Sequence, residues 1–227
     1  MFKKVFSVIL LLAMMSLPQI VSAEKTDWFN RNFYFRNIRS VIVFDVTPNQ
    51  NFGRVDTILL RNLQDVYIQN AQKNLRCNVI TEAQAQRMLN VESLAYSNPL
   101  QARHVIMQNA YQIADAWVVA NVDTWDDNSY VKPGYTVWEQ RRETRTYYDR
   151  HGNRREETYY IQVPVTYPPR RVDVSTIQMT LQVYEAQHGE MIFARKDVRD
   201  REDFQAQKGM FGRICNSFFE DFGKKLH

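Results

Sequence analysis

The sequence predicts an α+β fold, an α/β sandwich in which a mixed β-sheet packs against helices. Two dense β-branched runs, at 39–46 and 116–122, indicate strands that are buried on both faces. Segments with helical apolar spacing separate these runs, and a hairpin of alternating apolar residues follows late in the chain. The predicted order is therefore β-α-β-α-α-β, an inserted hairpin, and then β-β-α.

The first half of the chain alternates strands with helices. The run RSVIVFDV, Arg39–Val46, predicts a buried strand, which Thr47-Pro48-Asn49 ends. The next helix spans Val55–Leu75, and Cys77–Ile80 forms a short strand. The apolar residues of that helix have helical spacing, at Val55, Leu59, Leu63 and Val66.

Two sequence signals mark helix starts before the second buried strand. Thr81-Glu82-Ala83-Gln84 predicts a capping box, and Asn98 precedes Pro99 as an N-cap before a proline at the first helical position. The second of these helices is expected to run to about Asp115, and Ala116–Val122 then forms a strand. The residues of the helix beginning at Pro99 that are expected to face inward are Val105, Ile106, Ala110 and Ile113.

The last part of the chain predicts a half-exposed hairpin and an amphipathic helix. Apolar residues alternate with polar ones in Val174–Tyr184, at Ile177, Met179, Leu181 and Val183. Gly189 supplies the positive φ of a turn, and Met191–Val198 returns as the partner strand. The alternating charges of Arg195–Asp203 predict a solvated strand end with local ion pairs. The terminal helix is expected to bury Phe211, Ile214, Cys215, Phe218 and Phe222.

Between these halves, a second hairpin is predicted as an insert at about 130–171. Its central stretch is YYDRHGNRREETYY, Tyr147–Tyr160, and Asp149–Gly152 fits a type I turn that ends in a left-handed glycine. Neither face of this stretch is apolar, so the hairpin is expected to project from the frame. The turn predicts three cross-strand pairs: Tyr148 with Arg154, Arg145 with Glu157, and Thr144 with Thr158.

An exposed ribbon rich in tyrosine and arginine has the composition of a recognition surface. We expect it to contact an envelope protein or a neighbouring copy of the chain. The alternative is that the tyrosines shield the ribbon's own backbone or pack back on the sheet. Its proline- and aromatic-rich flanks, YVKPGYTVW and VPVTYPPRR, would stiffen the base and line a shallow groove. The candidate binding residues are Trp138, Arg145, Tyr147, Tyr148, Tyr159, Tyr160 and Tyr167.

The first 23 residues have the three-part layout of a secretory signal peptide. Lys3 and Lys4 precede the apolar run Val5–Leu17, and the small residues VSA end at Ala23. We expect cleavage after Ala23, a single domain at 24–227, and a location in the periplasm or outside the cell. An uncleaved anchor is the alternative. The residue directly after the expected cleavage site is Glu24 and not a cysteine that could carry a lipid. No later segment is long and apolar enough to span a membrane.

The chain contains two cysteines, Cys77 and Cys215. In an exported protein such a pair invites a disulfide, which would tie the C-terminal helix to the core. Closing so long a loop is worth about 4–5 kcal/mol in the chain-entropy model. Two buried free thiols are the alternative, and the sequence leaves both open. A catalytic dithiol is excluded because there is no C-x-x-C motif.

A second aromatic cluster lies shortly after the expected cleavage site. We expect most of its residues to cover the sheet or the insert, and an arm between subunits is the alternative. The cluster comprises Trp28, Phe29, Phe33, Tyr34 and Phe35.

Three segments resemble the CsgG/TolB N-terminal/LpoB-like group of bacterial envelope proteins. ADAWVVANVDTW, Ala114–Trp125, is similar to a central strand of that group, VIVFDV to its first strand, and Met179–Asp200 to its later hairpin. The resemblance covers about 39–225 and implies an α/β envelope domain that mediates assembly or partner contact. It does not imply a pore, because the insert is too polar to face lipid. The departures are Ile113, Glu185 and His188, where the group has glycine, aspartate and threonine.

No catalytic, metal-binding or cofactor-binding motif is present, so we predict no catalytic residue, no metal and no cofactor. The four histidines lack metal-ligand spacing, and there is no nucleophile elbow or phosphate-binding glycine loop. The formal charge of +4 is too small for a nucleic-acid partner. We predict a non-enzymatic exported protein that acts through protein–protein contact or assembly. The alternatives are a peptide- or glycan-binding module at the aromatic base of the 130–171 hairpin, and an envelope hydrolase with an unrecognised site.

Overall fold

A computed structural model of the chain describes residues 23–48 and 57–227. These residues form two compact units. The body comprises the described residues up to Asn128 together with Val174–His227, and the ribbon unit is Ser129–Asp173. The predicted signal peptide lies almost wholly outside the described residues, which begin at Ala23. No helix among the described residues has the length and apolarity needed to cross a membrane.

The predicted mixed sheet is confirmed. It has seven strands in the order β1-β9-β8-β5-β2-β4, and β3 pairs with β5 beside this path. The β1–β9 and β8–β9 pairs are antiparallel, whereas β2 is parallel to both β4 and β5. The strands are β1 (Ala23–Phe29), β2 (Ser40–Val43), β3 (Thr47–Pro48), β4 (Asn78–Thr81), β5 (Ala116–Lys132), β8 (Arg170–Glu185) and β9 (Met191–Arg201).

Five helices accompany this sheet in the part of the chain that the structure describes, and two short 3-10 turns lie at Phe35–Asn37 and Ala110–Gln112. Both predicted helix starts are confirmed. The Thr81 and Gln84 side chains form a reciprocal capping box, and Asn98 accepts a hydrogen bond from the Gln101 N–H. The helices are α1 (Thr57–Asn74), α2 (Glu82–Met88), α3 (Glu92–Ser97), α4 (Pro99–Asn109) and α5 (Gln207–Lys225).

Two hydrophobic clusters show that helices cover both faces of the sheet. One cluster joins β2, β5, β8 and β9 to α1 and α5, and the other joins β2, β4 and β5 to α2 and α4. Neighbouring residues of β5 divide between them, since Val118 lies in the first cluster and Trp117 in the second. All five apolar residues predicted on the terminal helix are fully buried. Each such phenylalanine contributes about 1.5–3 kcal/mol by leaving water.

Strand and helix ends differ from the predictions in three places. Thr47 and Pro48 were predicted to end the first strand, but they form a short strand of their own. This strand pairs in parallel with β5 at Asn121 and Val122. Strand β5 continues to Lys132, ten residues beyond its apolar run, and most of these added residues are exposed, so the apolar pattern did not predict them. Helix α3 was not predicted, because none of its residues is buried and its sequence carries no apolar period.

The N-terminal aromatic cluster is covered only in part, which corrects the prediction. Phe35 is buried, but Trp28, Phe29 and Tyr34 are exposed. The physical reason is that Ala23–Phe29 forms β1, an edge strand whose residues are all exposed. The ring of Phe29 is covered from one side by the Lys225 ammonium, 3.6 Å from the ring centroid.

The prediction of a solvated strand end at Arg195–Asp203 is wrong for two residues. Arg195 and Asp197 are fully buried. Asp197 accepts two hydrogen bonds from Arg199, and Arg195 bonds to carboxylates on other elements. The charges are buried because each has an ionic partner at hydrogen-bond distance.

Both cysteines are free thiols, so the disulfide is not confirmed. Cys215 is fully buried in the cluster under α5, and Cys77 is half-buried against the same cluster. Burial raises the pKa of the Cys77 thiol to about 11 and raises that of Cys215 further. Both side chains therefore behave as small apolar residues at neutral pH.

Candidate interaction surface

The ribbon unit holds a two-stranded sheet that is longer than the sequence predicted. Strands β6 (Tyr135–Tyr148) and β7 (Arg154–Tyr167) pair antiparallel in an unbroken register from Tyr135–Tyr167 to Tyr148–Arg154. We call this pair of strands the ribbon. The predicted flanking segments are thus largely strand, because their aromatic and β-branched residues suit extended backbone.

The turn of the ribbon is built around one carboxylate. Asp149 Oδ1 accepts hydrogen bonds from the N–H groups of His151 and Asn153, both at 2.9 Å, and Oδ2 accepts from Arg155 at 3.2 Å. Gly152 has a φ of +77°, the left-handed conformation that was predicted for it. The hydrogen bond from the Asn153 backbone is the largest cause that lowers the pKa of Asp149.

The three predicted cross-strand pairs are confirmed. Tyr148 lies opposite Arg154, Arg145 opposite Glu157, and Thr144 opposite Thr158. The Arg145 guanidinium donates two hydrogen bonds to one Glu157 oxygen, at 3.0 and 2.8 Å. Because both side chains are exposed, this ion pair contributes little to stability, and the turn and the backbone ladder hold the register.

The open end of the ribbon is fixed by close packing. The rings of Tyr135 and Tyr167 stack with centroids 5.1 Å apart, and the Tyr167 hydroxyl donates to Glu139 at 2.9 Å. A Cβ atom on Gly134 would lie 2.7 Å from the Tyr167 carbonyl oxygen and 2.9 Å from Pro169. Only glycine fits at 134, so the chain enters the ribbon along one path.

The ribbon has two faces, and the seven candidate binding residues divide between them. Side chains alternate along a strand, so the register assigns each residue to one face. Face A carries the odd-numbered residues of both strands, and face B carries the even-numbered ones. Arg145, Tyr147, Tyr159 and Tyr167 lie on face A, and Trp138, Tyr148 and Tyr160 lie on face B. The candidates therefore do not form one surface.

Three of the four tyrosines of face A are occupied within the ribbon, whereas Tyr147 is 46% exposed and makes no hydrogen bond or ring contact with the described residues. The Tyr159 hydroxyl donates to Glu143 at 3.2 Å, and the Arg145 guanidinium lies 5.9 Å from the centroid of its ring. Tyr167 is held by its stack and by Glu139, whose hydrogen bond raises the pKa of the Tyr167 phenol. Near the open end, face A also has a half-buried aliphatic strip that sequence reasoning missed. The strip comprises Val137, Ile161, Val163 and Val165.

The aromatic residues of face B are all free, and they are the most exposed rings of the paired strands. Trp138 is 66% exposed, Tyr148 72% and Tyr160 61%. Their side chains make no hydrogen bond or ring contact within the described ranges 23–48 and 57–227. The rest of face B is mostly threonine and glutamine, with Thr136 bonded to Thr166 at 3.1 Å and Thr144 to Thr158 at 3.4 Å. The alternation of side chains along a strand is enough to assign each residue to a face from the sequence. Only the coordinates show which rings have partners within the ribbon and which are free.

Composition separates the ribbon unit from the body. Seven of the twelve tyrosines lie in Ser129–Asp173, and none of the thirteen phenylalanines does. The unit carries nine Lys and Arg against six Asp and Glu, a net charge of +3. Tyrosine and arginine are among the residue types that interfaces favour, and the ribbon unit is rich in both.

The body has one cleft that bears on the hydrolase alternative. Its volume is about 530 Å³, and Asp115, Glu185, His188 and Glu190 are among its lining residues. Asp115 Oδ2 accepts hydrogen bonds from the Ser40 hydroxyl and from two backbone N–H groups, and Glu185 accepts from the N–H groups of Gln187 and His188. These carboxylates fix loops, and no group of three potential metal ligands occurs within the described residues.

A second acidic cluster in the body is also structural. Glu82 is 5% exposed and accepts hydrogen bonds from Arg103 at 3.1 and 2.6 Å and from the Asp45 N–H at 2.8 Å. Burial, and then the charge of Glu82, raises the pKa of Asp45. Arg103 also donates to Thr47 and the Asp45 carbonyl, so the cluster holds α2 and α4 to the end of β2.

Comparisons with known proteins give weak likenesses. No protein-family model matches the sequence, and no curated protein does. The structure is similar to the PelC dodecamer from Paraburkholderia phytofirmans, with a TM-score of 0.47, 7% identity, and 89% of this chain and 98% of that chain covered. It is similar to lipoprotein GNA1162 from Neisseria meningitidis, with a TM-score of 0.40, 11% identity, and coverages of 82% and 98%. With TM-scores below 0.5, neither likeness carries an argument, and the resemblance to the CsgG/TolB N-terminal/LpoB-like group stays a prediction.

Proposed function

We propose that this chain is an exported, non-enzymatic protein that acts through protein–protein contact, and that face B of the ribbon is its contact surface. One observation carries the proposal. Trp138, Tyr148 and Tyr160 lie on one face, each is more than 60% exposed, and their rings have no partner in the described part of the chain.

The chemistry of face B suits binding to a protein. Tyrosine and tryptophan supply large contact areas with few rotatable bonds, so little side-chain entropy is lost on binding. The ladder and the Asp149 turn hold the backbone before any partner arrives, which lowers the ordering cost further. The threonine and glutamine side chains of face B add uncharged hydrogen-bonding groups, and Arg142 and Arg154, which lie opposite Tyr160 and Tyr148, add the residue type that interfaces favour beside tyrosine.

The export part of the proposal rests on the N-terminal sequence alone. Lys3, Lys4, the apolar run and the small residues before Glu24 support it. N-terminal sequencing of the protein recovered from the envelope fraction should begin at Glu24. A cytoplasmic protein with an intact N-terminus would contradict export without touching the contact surface.

Site-specific crosslinking tests the surface itself. A photo-crosslinking phenylalanine analogue is placed singly at Tyr148 or Tyr160 on face B, and at Tyr147 or Tyr159 on face A as matched controls. We expect protein adducts in intact cells from the face B positions and few from face A, because Tyr147 and Tyr159 lie on the opposite face and the Tyr159 ring is also held within the ribbon. Equal adducts from both faces, or none from face B, would exclude face B as the contact surface.

Paired substitutions give the energetic test once a partner is identified by mass spectrometry. Tyr148→Ser with Tyr160→Ser should weaken binding about 30-fold or more, since about 1 kcal/mol or more for each tyrosine gives about 2 kcal/mol for the pair. Tyr147→Ser with Tyr159→Ser removes the same two side-chain types and should weaken binding less than threefold, about 0.6 kcal/mol. The proposal fails if the face A pair has the larger effect.

A further inference from the structure

The ribbon has two unpaired edges, and they are not equivalent. The Asp149 N–H donates to the Asn153 carbonyl at 2.9 Å, which makes residues 149 and 153 a hydrogen-bonded pair. In an antiparallel ladder such pairs alternate with non-bonded ones. The odd-numbered residues of β6 are therefore bonded to β7, and the even-numbered ones, from Thr136 to Tyr148, turn their N–H and C=O groups outward.

Proline distinguishes the two edges. On β7 the outward residues run from Arg154 to Thr166, and Pro164 among them has no N–H to offer. On β6 no proline interrupts the outward series, and nearly every residue of the strand is exposed. Proline on an edge strand hinders the addition of a further strand. The β6 edge is thus the one open to another strand, and β6 pairs only with β7 within the described residues.

The side chains of β6 make this edge complementary to itself. On face A the charges alternate along the strand as Glu139, Arg141, Glu143 and Arg145. When a second copy of β6 runs antiparallel with Arg142 at the two-fold axis, Glu139 meets Arg145 and Arg141 meets Glu143. Symmetry repeats each pair, giving four opposite-charge contacts. A shift of the axis by one residue, to Arg141, displaces the partner strand by two residues and opposes Glu139 with Glu143, so like charges reject that register.

We infer that β6 of one copy pairs antiparallel with β6 of a second copy, forming a four-stranded sheet across a two-fold axis. This inference rests on the proposed role of the ribbon as a contact element, and it names a second copy of the chain as one partner. It also answers a stability question, because an isolated two-stranded ribbon is marginal in water and four strands are not. The joined sheet places two copies of face B side by side.

A charge reversal with its restoration tests the register. The oligomeric state of the purified protein is measured by sedimentation velocity over a concentration series. Arg141→Glu opposes two carboxylates on each side of the axis, and we expect it to raise the dimer dissociation constant about tenfold or more. Arg141→Glu with Glu143→Arg exchanges the charges, restores every pair and should restore the dimer. Arg141 has no hydrogen-bond or ion-pair partner in residues 23–48 and 57–227, so its change spares the ribbon itself.

Substitution of Arg142 should have the opposite effect on the dimer dissociation constant. Arg142 faces its own copy at the axis, where two guanidinium groups repel each other. Arg142→Gln should therefore tighten the dimer, by about threefold for a contact of roughly 0.6 kcal/mol. Dimerisation that weakens on this change would place the axis elsewhere and overturn the register.

A matched pair of proline substitutions tests the edge. Thr144 and Thr158 lie directly opposite each other, and both turn their N–H groups outward, on β6 and β7 respectively. Thr144→Pro should abolish the dimer, whereas Thr158→Pro places the same ring on the other edge and should leave it intact. Circular dichroism of both variants checks that the ribbon has kept its fold.

Each outcome decides the inference. A wild-type chain that stays monomeric at its highest soluble concentration overturns it, as does an oligomer that is indifferent to Arg141→Glu and Thr144→Pro. Failure here is distinguishable from failure of the proposed function. The Tyr148→Ser and Tyr160→Ser pair changes face B and should leave the dimer intact, whereas Arg141→Glu should weaken the dimer and changes no residue of face B.

Discussion

The Arg195 guanidinium on β9 donates two hydrogen bonds to the Asp27 carboxylate on β1, at 2.6 and 2.8 Å. A third bond, at 2.8 Å, reaches Asp221 on α5. Arg195 is fully buried while both carboxylates keep about a third of their side-chain surface in water. The edge strand β1 is thus tied to its neighbour and to the terminal helix by one buried cation.

This cluster predicts a loss of stability in acid. Burial raises the pKa of Asp27, but the hydrogen bonds and charge of Arg195 outweigh it and lower the pKa below its ordinary value; Lys25 and Arg195 lower that of Asp221 likewise. A carboxyl whose pKa is lowered by folding stabilises the protein above its unfolded pKa of about 3.9, and that contribution is lost as pH falls through the folded value. Chemical denaturation between about pH 2 and 6 measures it.

Asp27→Asn should reduce the loss of stability that the wild type shows as the pH falls. It should also lower the free energy of unfolding at pH 7 by about 1.5–3 kcal/mol, the value of hydrogen bonds to a charged group. Asp65→Asn removes the same charge from an exposed position on α1 and should change neither. Superimposable pH profiles for the wild type and Asp27→Asn would show that the cluster carries no acid sensitivity.

The closest approach of α1 and α5 predicts that one glycine cannot be replaced. A Cβ atom on Gly223 would lie 2.6 Å from the Asn74 carbonyl oxygen, so Gly223→Ala should destabilise the protein by about 1–3 kcal/mol. Gly212 lies on the same helix, and its Cβ would meet only Val66 at 3.6 Å. Gly212→Ala should be neutral or stabilise by up to about 1 kcal/mol, because alanine favours helix. Thermal unfolding compares the two, and equal shifts would refute the contact.

The cysteines are predicted to be reduced and unreactive in the folded protein. Only the thiolate reacts with alkylating reagents, and burial raises the pKa of Cys77 to about 11. Iodoacetamide at pH 8 should therefore label Cys77 slowly and the fully buried Cys215 not at all. In denaturant without reductant both should label at once, as intact mass will show. Labelling that requires reductant would reveal a disulfide.

The turn carboxylate predicts a local effect on the ribbon. Asp149→Ala removes the acceptor for two backbone N–H groups and Arg155, and should speed amide hydrogen exchange in β6 and β7 by about tenfold. Arg150→Ala changes the neighbouring exposed residue and serves as the control. Because folding lowers the pKa of Asp149, acid below its ordinary range should reproduce the effect. Unchanged exchange in the variant would contradict this role.

The elements that the sequence predicted best are those in which a local rule and burial agree. Ile177, Met179, Leu181 and Val183 alternate in the sequence, and all four are fully buried on one face of β8. The turn at Asp149–Gly152 was predictable for a related reason, since its residue types leave one favoured conformation and that conformation fixes the register.

What the sequence concealed depends on contacts between distant residues. Arg195 has charged neighbours in the sequence, but its partners are Asp27, 168 residues away, and Asp221. No local pattern distinguishes such a cation from a solvated one. The same holds for Tyr159 and Tyr160, which are adjacent in sequence; only the positions of Glu143 and Arg145 show that the first ring is occupied and the second free.

Pro164 has a consequence for how far association can proceed. A ribbon with two receptive sides would recruit copies indefinitely and grow into fibres, the usual hazard of long exposed strands. Because Pro164 on β7 has no backbone N–H to donate, each molecule offers only the β6 edge to another strand. In a dimer with two-fold symmetry, both β6 edges are already paired. A single imino acid would thus make assembly self-limiting, and replacing it with valine would turn a discrete particle into an open-ended polymer.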